Sequence, residues 1–523
     1  MIADQLENSA AGAQWKIVGA RNHHGIALPL FSLHSKTSCG IGEYPDLIQL
    51  FPWCRKIGFD VIQLLPLNDT GLETSPYSAL SAHALNPIHL GLSQLPYVLE
   101  DVILKKHWQS LTSLNSTNRV SYKEVQKGKA SFLRAYYKQY YSTIATTLPY
   151  QKFKEEHSAW LPDYAVFKSL KILTNWQPWS CWSEELFKTR SSDIAAEAEY
   201  HTFIQYLCFQ QFQEVKKRAS EQGIFIKGDL PILIDRESAD VWSRNDLFIL
   251  DIVAGAPPDM YAPKGQKWGF PIYNWSTFER DRYQWWVNRL STAGCLYHLY
   301  RLDHVVGFFR IWGIPLPKES KDGFFVPCDP SLWIPQGEKL MHMMLRSSLM
   351  LPIGEDLGVI PLEVRQSLKT LGICGTKVMR WERDWNGDRS FIDPKKYQAE
   401  SMTTVSTHDS EPLALWWHDQ QEEARLYAAT QGWNYTPELT QEQRMAILSA
   451  SHHSGSLFHV NLLQEYLALI PEMIAPSSRL EEERINIPGT ISQSNWTYKF
   501  YPSVEEIVNH NELARLMTAL RKE

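Results

Sequence analysis

Four acidic residues occupy one kind of position along this chain. Asp229, Asp303, Glu355 and Asp409 each close a candidate strand: Gly223-Ile-Phe-Ile-Lys-Gly-Asp229, Tyr297-His-Leu-Tyr-Arg-Leu-Asp303, Leu351-Pro-Ile-Gly-Glu355 and Met402-Thr-Thr-Val-Ser-Thr-His408-Asp409. Gaps of 52 and 54 residues separate the last three, so only the fold can gather them. Arg301 stands two residues before Asp303, and strand side chains alternate faces, so the two point the same way. A fixed cation holds such a carboxylate ionised, as a nucleophile requires. Two acids suffice for glycoside chemistry. One attacks the anomeric carbon; the other protonates the leaving oxygen and then takes a proton from the acceptor. For a retaining reaction the pair stands about 5–5.5 Å apart. A third acid can orient sugar hydroxyls and raise the proton donor's pKa by like charge. Taken singly, each acid has an ordinary reading: a strand-end ion pair for Asp303, a dipole-favoured helix start for Glu355-Asp356, a turn for Thr407-His408-Asp409. His408 finds no second histidine at ligand spacing and the chain has no H-E-x-x-H, so no metal site is expected.

The elements that must position these acids recur as strand followed by helix. Candidate strands are Gly25–Phe31, Phe59–Pro66, Gly223–Asp229, Tyr297–Asp303, Leu351–Asp356, Gly375–Arg380, Met402–Asp409 and, more weakly, Ser456–Val460. Between the first two, Tyr44 to Ile57 carries Leu47, Leu50, Phe51, Cys54 and Ile57 on one helical stripe, with Pro52 as a kink and Gly58 as a stop. Near the end, Ser503 and Glu506 form a capping-box pattern before the stripe Leu513, Leu516, Met517 and Leu520. Eight strands alternating with helices predict a closed α/β architecture, the (β/α)8 TIM barrel, in which chemistry sits at the strands' C-terminal ends. An open doubly wound sheet is the alternative, but neither G-x-G-x-x-G nor G-x-x-x-x-G-K-[ST] occurs. Residues 1–523 then form a single catalytic barrel. Two insertions interrupt it: a mostly helical subdomain from about residue 99 to 222, and a loop-rich active-site region from about 236 to 275. The cluster Trp176, Trp179 and Trp182 within the first reads either as core packing or as a second sugar surface.

The totals set limits. The chain has 523 residues, net charge −6 and 21% charged residues, which excludes a nucleic-acid or anionic-membrane partner on electrostatic grounds. Seven scattered cysteines with no C-x-x-C predict reduced thiols and a cytoplasmic location. No basic-then-apolar leader and no run of about 18 apolar residues is present, so neither export nor a membrane span is expected. Twenty tryptophans help carry aromatics to 12%, and flat faces with polar edges suit sugar rings. Asn495-Trp-Thr497 matches a glycosylation sequon, read as chance in an unexported chain.

From about Gly25 to the C-terminus the chain resembles the amylomaltases, the 4-α-glucanotransferases of glycoside hydrolase family 77. The motifs that carry the likeness are Ser75-Pro-Tyr-Ser-Ala-Leu-Ser-Ala-His-Ala-Leu-Asn-Pro87, Gly228-Asp-Leu-Pro-Ile-Leu-Ile234, Ser238-Ala-Asp-Val-Trp242, Ala254-Gly-Ala-Pro-Pro-Asp259, Gly265-Gln-Lys-Trp-Gly269, Arg301-Leu-Asp-His304, Gly354-Glu-Asp-Leu-Gly358, Thr407-His-Asp409 and Asn486-Ile-Pro-Gly-Thr490. The resemblance implies Asp303 as nucleophile, Glu355 as general acid/base and Asp409 as transition-state stabiliser. It implies substrate binding by Tyr77, Asp229, Gln266, Trp268, Arg301 and His408, and no metal or organic cofactor. It also implies α-1,4-glucan substrates: maltose, maltodextrins and glycogen. The rivals are an α-amylase-type hydrolase, disfavoured by the missing Asn-His after Asp229, and a non-catalytic glycan-binding protein, which would not need three converging acids. The chain departs from the family pattern at Thr407-His-Asp-Ser-Glu411, where Thr-His-Asp-Asn-Asp is usual, and at His83 and Leu85, where many members have Phe and Gly. Gly307-Phe-Phe-Arg-Ile-Trp312 and Ala-Leu-Asn-Pro are closer to the branch that includes plant disproportionating enzyme 2, which moves glucose between maltose and branched polymers.

Overall fold

Eight parallel strands form the centre of the computed structural model, which describes residues 2–258, 263–385, 387–476 and 479–522. They are β1 (His23–Leu28), β2 (Val61–Leu64), β3 (Phe225–Leu230), β4 (Leu299–Leu302), β5 (Leu351–Gly354), β6 (Gly375–Val378), β7 (Ser401–Thr404) and β8 (Phe458–Leu462). Each pairs with its neighbour in chain order, and β8 returns to β1. Between β5 and β6 the link is the Ile353–Cys374 bridge, with the Gly354 amide donating to the Cys374 carbonyl at 2.8 Å. The sheet is therefore a nearly closed barrel, and all eight expected strands are present with ends shifted by a few residues.

The barrel interior is filled by side chains of alternate residues, as its small size demands. Lys227 on β3 donates to Gln63 on β2 at 2.9 Å and reaches Met402 Sδ on β7 at 3.1 Å, so it crosses the lumen. Asp229, two residues on, faces the same way and lies buried at the C-terminal rim. Outside, the helix Asp46–Ile57 buries the whole stripe Leu47, Leu50, Phe51, Cys54 and Ile57 and ends on Gly58 in the left-handed conformation, φ +75°. The segment 99–222 contains the helices Val102–Leu111, Tyr122–Ala145, Leu148–Glu156, Leu161–Leu173, Glu184–Thr189 and Ser191–Glu221. The last of these, 31 residues long, packs on both β3 and the helix Asp46–Ile57, so it also serves as the barrel's own helix before β3. Trp182 packs against Phe167 and Trp242 with ring centroids 5.4 and 6.0 Å away, and Trp179 Nε1 donates to the Arg236 carbonyl at 2.8 Å.

Two expectations need correction. The region 236–275 is more than loop: Phe248–Ala256 and Gln266–Tyr273 pair antiparallel, and with Ile311–Pro315 and Phe324–Val326 they form a second, four-stranded sheet beside the barrel mouth. Residues Asp259 to Ala262 of that region lie outside the described residues. Strict alternation also fails once. Between β6 and β7 the described residues hold two 3-10 turns, Met379–Trp381 and Pro394–Lys396, and no α-helix. No helix among the described residues is long and apolar enough to cross a membrane.

Candidate active site

The barrel registers dictate where the acids fall. Asp229 pairs directly with Arg301 across β3 and β4, and Leu302 with Gly354 across β4 and β5. Asp303 and Glu355 are therefore the next positions on adjacent strands, whose backbones stand about 4.8 Å apart. Gly228 is needed just before Asp229 because a Cβ there would collide with the Tyr297 ring.

One guanidinium organises the centre. Arg301 Nη1 donates to Asp229 Oδ1 at 2.9 Å and Oδ2 at 3.0 Å and lies 2.8 Å from Asp303 Oδ1, while Nη2 is 3.7 Å from Glu355 Oε2. Burial alone would weaken its hold on the proton, but Asp229, Tyr77, Asp303 and Glu355 keep Arg301 charged well beyond its ordinary range. The Asp303 side chain is 22% exposed, whereas that of Asp229 has no exposure. This separates their roles. Asp303 can meet a substrate, while Asp229, its oxygens taken by Arg301 and by the Tyr77 hydroxyl at 2.9 Å, reaches one only through those two side chains.

Glu355 is the reluctant acid of the set. Burial, reinforced by the negative charge of Asp303, pushes it up to about 8, against the pull of Arg301. The chain turns sharply after Asp303: His304 has φ +44°, rare for a residue with a side chain, and its main-chain N–H donates to Glu355 Oε2 at 2.8 Å. Asp409 is the opposite case. Burial would raise it, but His408, 3.2 Å from Oδ2, and Asn486 Nδ2, donating to Oδ1 at 2.7 Å, hold it down at about 2. With the Tyr77 proton on Asp229, His408 Nε2 faces the Tyr77 oxygen at 3.0 Å. The Tyr77 ring stacks on His408 at 5.7 Å and lies 5.8 Å from Trp496.

Of the nine expected site residues, seven thus share one cluster: Tyr77, Asp229, Arg301, Asp303, Glu355, His408 and Asp409. Trp268 joins from the second sheet, its ring edge-on to His304 at 4.9 Å. Gln266 is exposed and attaches through Trp268, accepting its Nε1–H at 2.9 Å. Four further residues belong here that were given no role from sequence: His304, Arg484, Asn486 and Trp496. His304 was flagged by Arg301-Leu-Asp-His304 and Asn486 by its own motif. Asn495 is 6% exposed and donates to the Thr490 carbonyl at 3.0 Å, so the sequon is folded away and its tryptophan serves the site.

Two acids on adjacent strands, one with its proton affinity raised by burial, beside a cation and flanking aromatic rings, are the equipment of glycosyl transfer through a covalent intermediate. The sequence matches the glycoside hydrolase 77 family, described as 4-alpha-glucanotransferase, over residues 28–503. It is 44% identical to the 4-alpha-glucanotransferase of Chlamydia caviae, across 97% of this chain and 96% of that one. It is likewise 44% identical to that of Chlamydia pneumoniae, across 99% and 100%. Among solved structures, the amylomaltase from Streptococcus agalactiae in complex with acarbose shares the fold, with a TM-score of 0.81 at 23% identity over 96% of this chain and 99% of that one.

Proposed function

The chain belongs to glycoside hydrolase family 77 and is a 4-α-glucanotransferase; from that premise we propose how its residues divide the reaction and which glucans it takes. The Asp303 carboxylate attacks the anomeric carbon of the donor while the Glu355 carboxyl gives its proton to the departing glycosidic oxygen. A glycosyl ester on Asp303 and a free sugar result. Glu355, now ionised, takes the proton from the acceptor 4-hydroxyl, that oxygen attacks the anomeric carbon, and the ester breaks. Two inversions leave the α-linkage intact. Asp409 and His408 grip the donor sugar, and Tyr77 stacks on it. The observation that carries this reading is the single Arg301 guanidinium, 2.8 Å from Asp303 and 3.7 Å from Glu355, next to a Glu355 carboxyl that burial pushes up to about 8.

Maltose and short maltodextrins are the donors, and a glycogen-like polymer is a competent acceptor. The support is Gly307-Phe-Phe-Arg-Ile-Trp312 and the Ala-Leu-Asn-Pro wording, which the maltose-using branch shares. Water is kept from the ester by the second sheet, whose Trp268 closes on His304. The test is to incubate the protein with maltose alone and with maltose plus glycogen, and to separate products by chain length. Glucose with lengthened oligosaccharides or lengthened glycogen is expected. Glucose with nothing lengthened would mean hydrolysis and would overturn the transfer step.

A further inference from the structure

Glu411 stands where the usual family pattern has a shorter acid, and it touches neither Asp303 nor Glu355 among the described contacts. Its carboxylate lies between two guanidinium groups, 3.3 Å from Arg380 Nη1 and 3.1 Å from Arg484 Nη1. Both arginine side chains are enclosed, 3% and 16% exposed. Arg380 follows β6 and also donates to the main-chain carbonyls of Val405 at 3.4 Å and of Glu411 itself at 2.5 Å. Arg484 belongs to the segment Arg484–Trp496, which has no helix or strand of its own. Its Nη2 donates to the main-chain carbonyl of Asp409 at 3.3 Å. Two residues on, Asn486 donates to Asp409 Oδ1, and at the segment's far end Trp496 lies 5.9 Å from His408 and 5.8 Å from Tyr77.

One carboxylate therefore ties together the end of β6, the turn after β7 and the irregular segment that roofs the site. Remove its charge and a buried and a half-buried guanidinium lose the one carboxylate they share, leaving Arg380 only the more distant pull of Glu465 and Glu423. Like charges at that depth repel strongly, and an uncompensated buried ion is expelled. Arg380 is fixed by two main-chain carbonyls and packs on Trp416, so Arg484 is the group that leaves. Its departure breaks the bond to the Asp409 carbonyl and carries Asn486 away from the Asp409 carboxylate. We infer that Glu411 is a positioning residue for transfer: through Arg484 and Asn486 it sets the orientation of Asp409 and keeps the roof closed over the donor sugar, and so governs the partition between transfer and hydrolysis. This rests on the reading of Asp409 given above.

The test measures kcat and KM on maltose and the ratio of transferred to hydrolysed glucosyl units. The variants are Glu411→Gln, Glu411→Asp, Arg484→Met, Asn486→Ala, Asp409→Asn and the double Glu411→Gln/Arg484→Met. Loss of one oriented contact to the transition state costs on the order of ten-fold to a hundred-fold in rate. Glu411→Gln and Arg484→Met should each lose kcat on that scale and shift the ratio toward hydrolysis several-fold, and the double variant should be no worse than either, because both break one linkage. Glu411→Asp should restore most of the rate. Asn486→Ala leaves the buried arginine pair untouched and should reproduce the kcat loss at the wild-type Tm, which guards against unfolding as the cause. If Glu411 merely neutralises Arg380, Glu411→Gln lowers the Tm while kcat and the ratio hold, and the inference is overturned. Asp409→Asn separates the two claims. Full activity there would sink the reading of Asp409 together with this one, whereas collapse there beside an unaffected Glu411→Gln would sink only the role of Glu411.

Discussion

In the proposed division of roles Glu355 is protonated to expel one sugar and ionised to activate the next, so its proton affinity must sit near the working pH. The structure achieves this by enclosing Glu355 beside Asp303, which lifts it to about 8, while leaving one main-chain N–H and a 3.7 Å approach from Arg301 to stabilise the ionised form. Because the attack step needs the proton, the basic limb of the kcat/KM profile should fall near pH 8, and Glu355→Gln should abolish turnover of maltose. A stability consequence follows from the same shift. A carboxyl raised in the folded state binds its proton more tightly than in the unfolded chain. Its contribution is therefore full below the ordinary glutamate value near 4.5, and it is lost as pH rises toward about 8. Thermal unfolding should accordingly find Glu355→Gln more stable than wild type at pH 8 and equal to it at pH 4; equal Tm values at both would contradict the shift. Arg301→Lys keeps a charge but cannot serve Asp229 and Asp303 from one planar group, and a loss of about a hundred-fold in kcat is expected by steady-state assay.

Most barrel strands were legible as short apolar runs punctuated by a glycine or an acid, the pattern a buried parallel strand imposes, while Gly375–Val378 and Ser401–Thr404 are largely polar and were legible by their place in the alternation. The second sheet was not. Phe248–Ala256 pairs with its neighbour through two register shifts, between Ile249 and Val253 and between Val253 and Gly255, and such bulges erase the period-two alternation that marks a strand. For the same reason the environment of Trp268 was legible only by likeness, although the acids were legible by position. Arg484, Asn486 and Trp496 lie 75 or more residues beyond Asp409, on a segment without regular periodicity, and nothing local announces which carboxylate they meet. If the second sheet excludes water through Trp268, Trp268→Ala should raise the hydrolysed share of maltose several-fold while the Tm changes little, since this ring is only half-buried. Farther away, Ser503 and Glu506 do form the capping box expected of them. Ser503→Ala should therefore cost about 1 kcal/mol in denaturant unfolding with kcat intact.

At the scale of the whole molecule the barrel is a device for bringing distant acids to one rim, and its lumen is more polar than its folding needs. Lys227 crosses that lumen with no carboxylate within ion-pair distance of its amine among the described residues, and burial drops it to about 7. A lysine whose proton is held less tightly in the folded state destabilises wherever the unfolded chain would be charged. The loss begins as pH falls below about 10.5 and is complete below about 7. Lys227→Met, close in volume, should raise the Tm at pH 7 and less so at pH 10. All of this serves one covalent event. The most direct measurement is intact-mass spectrometry of the Glu355→Gln variant after exposure to α-glucosyl fluoride, a donor whose leaving group needs no proton. Without the base that activates the acceptor, the ester should accumulate. The account predicts a protein heavier by one glucosyl residue, with the added mass on the peptide carrying Asp303. An unmodified protein under conditions where the fluoride is consumed, or the sugar on any other residue, would contradict it.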